Sequence, residues 1–323
     1  MDYFSQKNIF KFLALGFLVF LGLIFFGDYR KISESVSLLS VQTILLLFLL
    51  TLLNDIFRFF KWEYFLRTVG IKIKKRLSLA IFFSGLAMAI TPGKVGEVLK
   101  SQMLKEKAGV PRRNSIMVVF SERLTDVIGL SLLSLFGLSA FFLNLWALIF
   151  IFALLAFILF ILSNENIFFK ITSIAGGLPV VGKYAGYFRE SYSNSKILFT
   201  PVVLIVSTGI SIVSWFFECL ALFVLLQAVG VNISMASAIF IFSFSTIFGS
   251  LLVLPGGIGA AEGSFVALLL FAGATSAVAS LATIVIRITT LWFGVSVGMI
   301  SFLFLKRFHD AGSAGETDLK AKP

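Results

Sequence analysis

A helix-breaking motif occurs twice in this chain, half a chain apart. The first copy is Thr91-Pro92-Gly93-Lys94-Val95-Gly96-Glu97, and the second is Leu254-Pro255-Gly256-Gly257-Ile258-Gly259-Ala260-Ala261-Glu262. Each copy ends a long apolar segment, and each is followed by one Arg inside the next apolar segment, namely Arg123 and Arg287. Repeated helix breaks that carry a carboxylate and a guanidinium are typical of membrane transporters built from two related halves.

The apolar segments that surround these motifs place the chain in a membrane. Mean hydropathy is +1.02, and only 13% of the 323 residues are charged, against about 25% in soluble proteins. A helix needs roughly 20 residues to cross about 30 Å of hydrocarbon. The apolar runs are continuous rather than alternating, which favours helices over strands. We therefore predict an all-α, polytopic integral membrane protein with spans at Ile9–Phe26, Ser37–Phe57, Ser115–Leu143, Leu145–Leu162, Pro201–Gln227 and Ser276–Leu305.

The distribution of basic residues predicts the orientation of these spans. Most of the 27 Lys and Arg residues fall in five regions, whereas the loops near Asn144, Val231–Ser234 and Ala272–Ser276 carry no charge. We expect the basic regions to be cytoplasmic, with both termini inside the cell and the chain in the cell (inner) membrane. The basic regions are 7–11, 58–76, 94–113, 164–199 and the tail from 306, of which 311–323 is expected to be disordered.

The same charge pattern predicts two inverted repeats, at about 37–143 and 201–305, within one transmembrane domain of residues 1–310. Leu77–Thr91 has basic segments on both sides, so it is expected to enter and leave on the cytoplasmic side, as half of a re-entrant hairpin. Ala236–Leu254 has uncharged loops on both sides, so its hairpin is expected to enter from outside. The two halves would then have opposite orientations.

The Pro-Gly breaks are expected to shape a binding site. Broken backbone inside a bilayer persists only where protein or a water-filled cavity satisfies the freed backbone groups. A helix that begins after the break points its partial positive charge toward the midplane, which suits an anionic group. A structural kink is the alternative, and the repetition of the motif favours the site. The expected substrate-binding residues in the two motifs are Gly93, Lys94, Gly96, Glu97, Gly256, Gly259 and Glu262.

Arg123 and Arg287 complete the expected site. An Arg at the centre of a membrane helix costs about 2.5–3.5 kcal/mol on insertion scales, so each must be compensated. Asp126, three residues after Arg123, is its neighbour on a helix face; it either compensates the buried charge or tunes an Arg that faces a cavity. Arg287 has no acid within its own span. Its partner is expected to be Glu262, by analogy with Glu97 and Arg123, unless it is left for the ligand.

Other polar residues near the spans are given mainly structural interpretations. Residues 55–62, with Asp55, Arg58, Lys61 and Trp62, are interpreted as an interfacial anchor at the cytoplasmic end of the second span. Glu218 serves either a cavity or a hydrogen bond between helices, and Cys219 is expected to be a packing residue. The basic residues at 72–76 and 100–113 are expected to attract anionic lipid headgroups.

The ordered set of motifs resembles a known family. Arg58-x-x-Lys61-Trp62, the first Pro-Gly motif through Glu97, Glu122-Arg123-x-x-Asp126, the second motif through Glu262, and Arg287 together resemble the flippase-like transmembrane domain of lysylphosphatidylglycerol synthases, over roughly Phe12 to Leu305. The resemblance implies translocation of a phospholipid or other polar lipid between leaflets. That family commonly has an Arg just before the second Glu, where this chain has Ala261. The soluble aminoacyl-transferase domain is absent, so the chain is not expected to make lysyl-lipid itself.

Three function classes stay open. The leading one is a flippase or scramblase for anionic or zwitterionic lipids, with an Arg-lined cavity. A membrane-embedded lipid transferase would use Glu97 or Glu262 as a base, but no Asp/His cluster accompanies them. An accessory protein in lipid, glycolipid or hopanoid biosynthesis would hold a lipid-modifying enzyme, with 164–199 as its docking surface.

The expected partners follow from the missing motifs. No Gly-x-x-x-x-Gly-Lys-Ser/Thr sequence is present, so a nucleotide is not an expected partner and transport would run downhill or be coupled to an ion. Nucleic acid is not expected either, because no folded domain presents the basic residues. We expect no enzyme activity and no catalytic residue, cofactor or metal.

Overall fold

The computed structural model describes residues 6–91, 95–138, 164–175, 190–252 and 254–305, together with Ala153 and Ile161. Within these residues the chain is helical and contains no strand, which confirms the all-α prediction. The end of the predicted span Ser115–Leu143, nearly all of Leu145–Leu162 and the tail 311–323 lie outside the described residues.

Six helices are found among the described residues of the first half of the chain. They are α1 (Gln6–Gly27), α2 (Tyr29–Val36), α3 (Val41–Thr68), α4 (Lys75–Leu86), α5 (Leu99–Ala108) and α6 (Arg112–Leu138). A 3₁₀ turn, Ala87–Ile90, continues α4 to the first motif, and another, Val95–Val98, leads from the motif into α5. The apolar segment predicted at Leu77–Thr91 therefore ends at the Pro-Gly break.

The described residues of the second half are also helical. They form α7 (Glu165–Ala175), α8 (Pro201–Ala228), α9 (Met235–Leu251), α10 (Ala260–Phe271) and α11 (Ser276–Leu305). A π-helical turn, Ile288–Trp292, interrupts α11 directly after Arg287. By length and composition, α3, α8 and α11 are each able to cross a membrane.

A matching turn relates the two halves. The amide of Val69 donates to the carbonyl of Phe65 at 3.1 Å, and the amide of Val229, 160 positions further on (69 to 229), donates to Leu225 at the same distance. The next residue of each turn, Gly70 or Gly230, has a φ of 76° or 78°, a left-handed conformation that favours glycine. The repetition supports two related halves. Their opposite orientation and their bounds stay predictions.

The helix α3 packs along α8, and α6 packs against both α8 and α9. Cys219, at the centre of α8, is fully buried in the apolar core between these helices, which confirms its role in packing. A second apolar core surrounds Trp62 and Phe82, between α3, α4 and α6.

The broken segments of the two halves contact each other. The Cα of Ile90, just before the first motif, would lie 3.4 Å from a Cβ placed on Gly256 of the second motif. Ile90, Ile258 and Val295 form a small buried apolar cluster at this contact. On the same side, Gly298 of α11 lies directly against the backbone of Ala87. The broken segments of the two halves are therefore held together by apolar side chains and by close backbone approach at glycines.

Candidate functional site

A cavity of about 210 Å³ lies next to the second Pro-Gly motif, and both Arg123 and Arg287 line it. Ligand pockets for drug-sized molecules span roughly 300–1,000 Å³, so this cavity suits a smaller chemical group. Ala261, where the resembling family commonly has Arg, presents only a methyl group to the wall. The remaining lining residues are Asp126, Val127, Leu130, Trp215, Thr246, Gly249, Ser250, Leu254, Gly256, Gly257 and Leu291.

Arg123 lies on α6 among three carboxylates. Its Nη1 is 3.3 Å from Glu97 Oε1, and its Nη2 is 3.0 Å from Asp126 Oδ2 and 3.9 Å from Glu122 Oε1. Its Nε and Nη2 are buried, and no described acceptor has hydrogen-bond geometry toward them. The Arg123 side chain is 20% exposed, on the cavity. Asp126 therefore compensates Arg123, which also lines the cavity; the tuning of Arg123 by Asp126 stays a prediction.

Arg287 lies on α11 and is held by two strong bonds. Its Nε donates to Glu262 Oε1 at 2.6 Å, and its Nη2 donates to the carbonyl of Gly256 at 2.8 Å. The other oxygen of Glu262, Oε2, accepts the amide of Gly259 at 2.7 Å. The expected pairing of Arg287 with Glu262 is confirmed. The pair also joins α11 to the turn of the second motif.

The second motif forms a tight turn that requires glycine. Gly256, Gly257 and Gly259 have φ values of 59°, 67° and 90°, all in the region that side chains disfavour. The helix α10 begins directly after the turn, at Ala260. Glu262 caps its first turn, so this helix N-terminus meets a carboxylate of its own chain before any ligand.

The first motif is described only in part. Gly93 and Lys94 lie outside the described residues. Gly96 and Glu97 belong to the 3₁₀ turn Val95–Val98, and Glu97 is 1% exposed. Glu97 therefore belongs, with Glu122, Arg123 and Asp126, to one group of buried charged residues, called the buried cluster below.

Lys61 is a site residue that the sequence interpretation misplaced. Its ammonium is fully buried, forms an ion pair with Asp126, and donates to Ser211 Oγ at 2.7 Å. Trp62 is also fully buried, and its Nε1 donates to Ser78. The interpretation of residues 55–62 as an interfacial anchor is wrong, because α3 continues to Thr68 and carries them into the interior.

The spacing of polar residues on α3 contained a signal for this burial. Buried positions of α3 recur every three or four residues, as on one face of a helix. The buried polar positions lie on the same face of the helix as the buried apolar positions. The face comprises Leu47, Leu50, Thr51, Asn54, Asp55, Arg58, Lys61, Trp62 and Phe65.

Lys100 is the second misplaced cation. It was expected on a basic surface, but it is 1% exposed and its Nζ lies 2.5 Å from Glu122 and 3.4 Å from Glu97. Its ammonium also lies 4.9 Å from the centre of the Trp62 ring, within the range of a cation–π contact. Other basic residues of that group are exposed, as expected: Lys72, Lys74, Lys75, Arg76, Lys105, Arg112 and Arg113.

Asp55 and Arg58 extend the buried cluster toward α8. The two form an ion pair at 3.3 Å, and the Arg58 guanidinium lies 5.5 Å from the centre of the Trp215 ring. Trp215 lines the cavity, and its Nε1 donates to Asp126 Oδ1 at 3.0 Å. Trp215 therefore contacts Arg58, lines the cavity and helps to hold Asp126.

Glu218 takes the structural one of its two expected roles. It is 3% exposed and lies 3.5 Å from the hydroxyl of Thr51, across the α3–α8 interface. It is not among the residues that line the cavity. Glu218 therefore links two helices.

The buried charges of the first half balance one another among the described residues. Removing an ion from water costs several kcal/mol, which only well-placed partners offset. Each acid here has at least one cation within 4 Å. The four acids are Asp55, Glu97, Glu122 and Asp126, and the four cations are Arg58, Lys61, Lys100 and Arg123.

Comparison with known proteins identifies the class. The family described as the lysylphosphatidylglycerol synthase TM region matches residues 13–298. The chain belongs to this family, which confirms the resemblance found in the motifs and makes it a membrane protein with several transmembrane helices.

Archaeal relatives align with nearly the whole chain. A UPF0104 membrane protein of Methanothermobacter thermautotrophicus is 27% identical over 92% of this chain and 93% of its own length. A UPF0104 membrane protein of Methanocaldococcus jannaschii is 21% identical over 91% of this chain and 94% of its own length. The chain is therefore similar to stand-alone relatives of the transmembrane region.

Proposed function

We propose that the protein transports a phospholipid or other polar lipid between the leaflets of the cell membrane, in the manner of a flippase or scramblase. The observation that carries the proposal is the cavity lined by both Arg123 and Arg287. An Arg guanidinium stays charged when it leaves water, and it holds phosphate oxygens through paired hydrogen bonds. Two guanidinium groups in one intramembrane cavity suit a phosphate that crosses the bilayer.

Much of the rest of the cavity wall is apolar, which suits the part of such a lipid that adjoins its headgroup. Val127, Leu130, Leu254 and Leu291 give the cavity an apolar side, next to its charged side. A headgroup would occupy the charged side while the acyl chains stay in hydrocarbon. A volume of about 210 Å³ admits the headgroup without the chains.

The energy source and the membrane orientation belong to the same proposal. The chain has no nucleotide-binding motif, so transport runs downhill or is coupled to an ion. We propose that the exposed basic residues that follow α3 lie on the cytoplasmic side, together with both termini, because basic loops stay on that side of a membrane. Anionic headgroups gather near such residues, at about 1 kcal/mol of attraction per charge.

The test is reconstitution of the purified protein into liposomes. The liposomes carry phosphatidylglycerol with a fluorophore on one acyl chain, and an impermeant reductant destroys the fluorophores of the outer leaflet. We expect loss of nearly all the fluorescence with the protein and about half without it. The matched control is Arg113→Ala, which removes an exposed Arg paired with Glu190 on the surface and is expected to transport normally.

The same liposomes separate the other function classes. A chemically altered lipid, found by mass spectrometry, would favour a transferase. Protection of the inner leaflet without any altered lipid, repeated with a phosphatidylethanolamine probe, would contradict transport and favour an accessory protein.

A further inference from the structure

We propose that the two cavity arginines have different roles: Arg123 binds the phosphate of the ligand, and Arg287 is a positioning residue that holds the second Pro-Gly turn. This inference rests on the proposed function and assigns the ligand-binding residue within it. The two arginines follow their motifs at nearly the same distance in sequence, but their bonds in the structure differ.

Arg287 is bonded to the second Pro-Gly turn. It bonds at the same time to the carboxylate of Glu262 and to the carbonyl of Gly256, while Glu262 bonds to the amide of Gly259. These bonds close a ring across a turn that contains three glycines with positive φ. An anion that recruited the Arg287 guanidinium would have to open this ring.

The acids beside the two arginines differ in their other partners. Glu97 and Glu122 each also pair with Lys100, and Asp126 also pairs with Lys61. Those acids therefore stay compensated when Arg123 turns toward a ligand.

Glu262 has no such second partner within the part of the chain that the structure describes. Among the described residues its only ion pair is with Arg287. A buried carboxylate without a cation is costly, so withdrawal of Arg287 would leave a strong penalty. The charge balance therefore permits Arg123 to move and opposes movement of Arg287.

The donors of Arg123 fit the same assignment. Its ion pairs lie at 3.0–3.9 Å, and its Nε and Nη2 have no aligned acceptor in the described part of the chain. Its side chain is 20% exposed, against 11% for Arg287. These donors are buried, so they reach a phosphate only when the Arg123 side chain turns toward the cavity. The acceptor oxygens of the phosphate would then satisfy the planar fork of the guanidinium. The ligand class is a phosphate-bearing headgroup that one arginine binds.

The test compares Arg123→Lys with Arg287→Lys in the full-length purified protein. Both keep the charge and remove the planar fork, and Arg113→Lys is the surface control. The midpoint of thermal unfolding is measured against two probes at constant ionic strength: inorganic phosphate, and dihexanoyl phosphatidylglycerol below its micelle concentration. A ligand that binds the folded protein raises this midpoint.

We expect Arg123→Lys to weaken the apparent affinity for the probe about tenfold, because the paired hydrogen bonds are lost. Arg287→Lys is expected to leave that affinity within about twofold of the wild type. It should instead lower the midpoint measured without ligand, because a Lys cannot bond to Glu262 and to Gly256 in the same way. If Arg123→Lys yields no folded protein, Arg123→Gln with Glu97→Gln, which removes one charge of each sign, replaces it.

The outcomes test the assignment of Arg123 separately from the proposed transport function. A larger loss of affinity in Arg287→Lys than in Arg123→Lys overturns the assignment, as does the absence of any shift in the wild type with either probe. A shift with the lipid alone identifies the headgroup as the source, and a shift with inorganic phosphate shows that the phosphate suffices. If phosphate binds at Arg123 but liposomes show no transport, the proposed function fails and the anion site stands.

Discussion

The guanidinium of Arg287 and the carboxylate of Glu262 lie 2.6 Å apart and join α11 to the first turn of α10. Their side chains are 11% and 2% exposed, so water contributes little to solvating either charge. The guanidinium also reaches Gly256, which lies at the contact with the first half of the chain. One ion pair therefore stabilises the turn at which the two halves meet.

Removal of one charge of this pair should cost far more than removal of both. Arg287→Met leaves Glu262 buried without a cation, a loss of about 3–5 kcal/mol for comparable buried pairs. Adding Glu262→Gln removes the stranded charge and keeps an oxygen for the amide of Gly259, so most of the stability should return. Thermal unfolding of the single and double variants in detergent measures this. A double variant as unstable as Arg287→Met would contradict the role of the pair.

This pair was predicted from the sequence, whereas the burial of Lys61 and Lys100 was not. Arg287 lies deep in an apolar segment, so it requires an acid, and the repeated motif supplies Glu262 as the candidate. Lys61 follows Arg58 near a group of charged and aromatic residues, a pattern that is also typical of a membrane interface. Its burial depends on Ser211 and Asp126, which lie on other helices and far away in the sequence.

The tertiary contacts around the cavity were likewise not predicted from the sequence. The motif spacing predicted equivalent roles for Arg123 and Arg287, since they follow their motifs at similar distances. The structure shows that the first half has three additional buried cations, Arg58, Lys61 and Lys100, and the second half has no counterpart to them among the described residues. Local patterns predicted the helices and the motif residues, but the partners of each charge depend on the packing of α3, α5, α6 and α8.

Lys61 should be essential for the stability of the buried cluster. Lys61→Met keeps the length of the side chain but removes an ion pair with Asp126 and the hydrogen bond to Ser211. Because Asp126 keeps Arg123 as a second cation, the cost should lie below the about 3–5 kcal/mol for a buried charge left without a partner, but the thermal midpoint should still fall clearly. Lys105→Met on the exposed face of α5 is the control and should change little. Equal midpoints for the two variants would show that Lys61 contributes no more than a surface lysine.

The close contact between α11 and the broken segment of the first half predicts a strong effect at Gly298. A Cβ there would lie 2.2 Å from the amide nitrogen of Ala87 and 2.9 Å from its Cα, so the backbones must move apart. Overpacking of this kind costs about 1–3 kcal/mol. Gly294→Ala, one turn earlier on the same helix, meets no atom within 4 Å.

Gly298→Ala should therefore destabilise the protein, while Gly294→Ala leaves it unchanged or slightly more stable, because alanine favours helix over glycine by about 0.5–1 kcal/mol. Thermal unfolding of the two variants side by side provides the measurement. The same midpoint for both would mean that α11 and the 3₁₀ turn are not in contact in the membrane.

Two equivalent turns with different charge test the membrane orientation. Lys72 and Asn232 are both exposed and follow the matching turns at Gly70 and Gly230 by two residues. After Gly70 the chain continues with Lys72, Lys74, Lys75 and Arg76, whereas the stretch after Gly230 has no charge up to the start of α9. Because basic loops stay in the cytoplasm, the two turns are expected on opposite sides of the membrane.

Single cysteines at these two positions, in a Cys219→Ala background, make the test direct. In intact cells an impermeant thiol reagent should label Asn232→Cys and leave Lys72→Cys unlabelled, and both should react after the membrane is permeabilised. The local backbone is alike at the two positions, so a difference in labelling reports the side of the membrane rather than the conformation of the turn. Labelling of both cysteines in intact cells would place the two turns on the same side and would exclude the inverted arrangement of the halves.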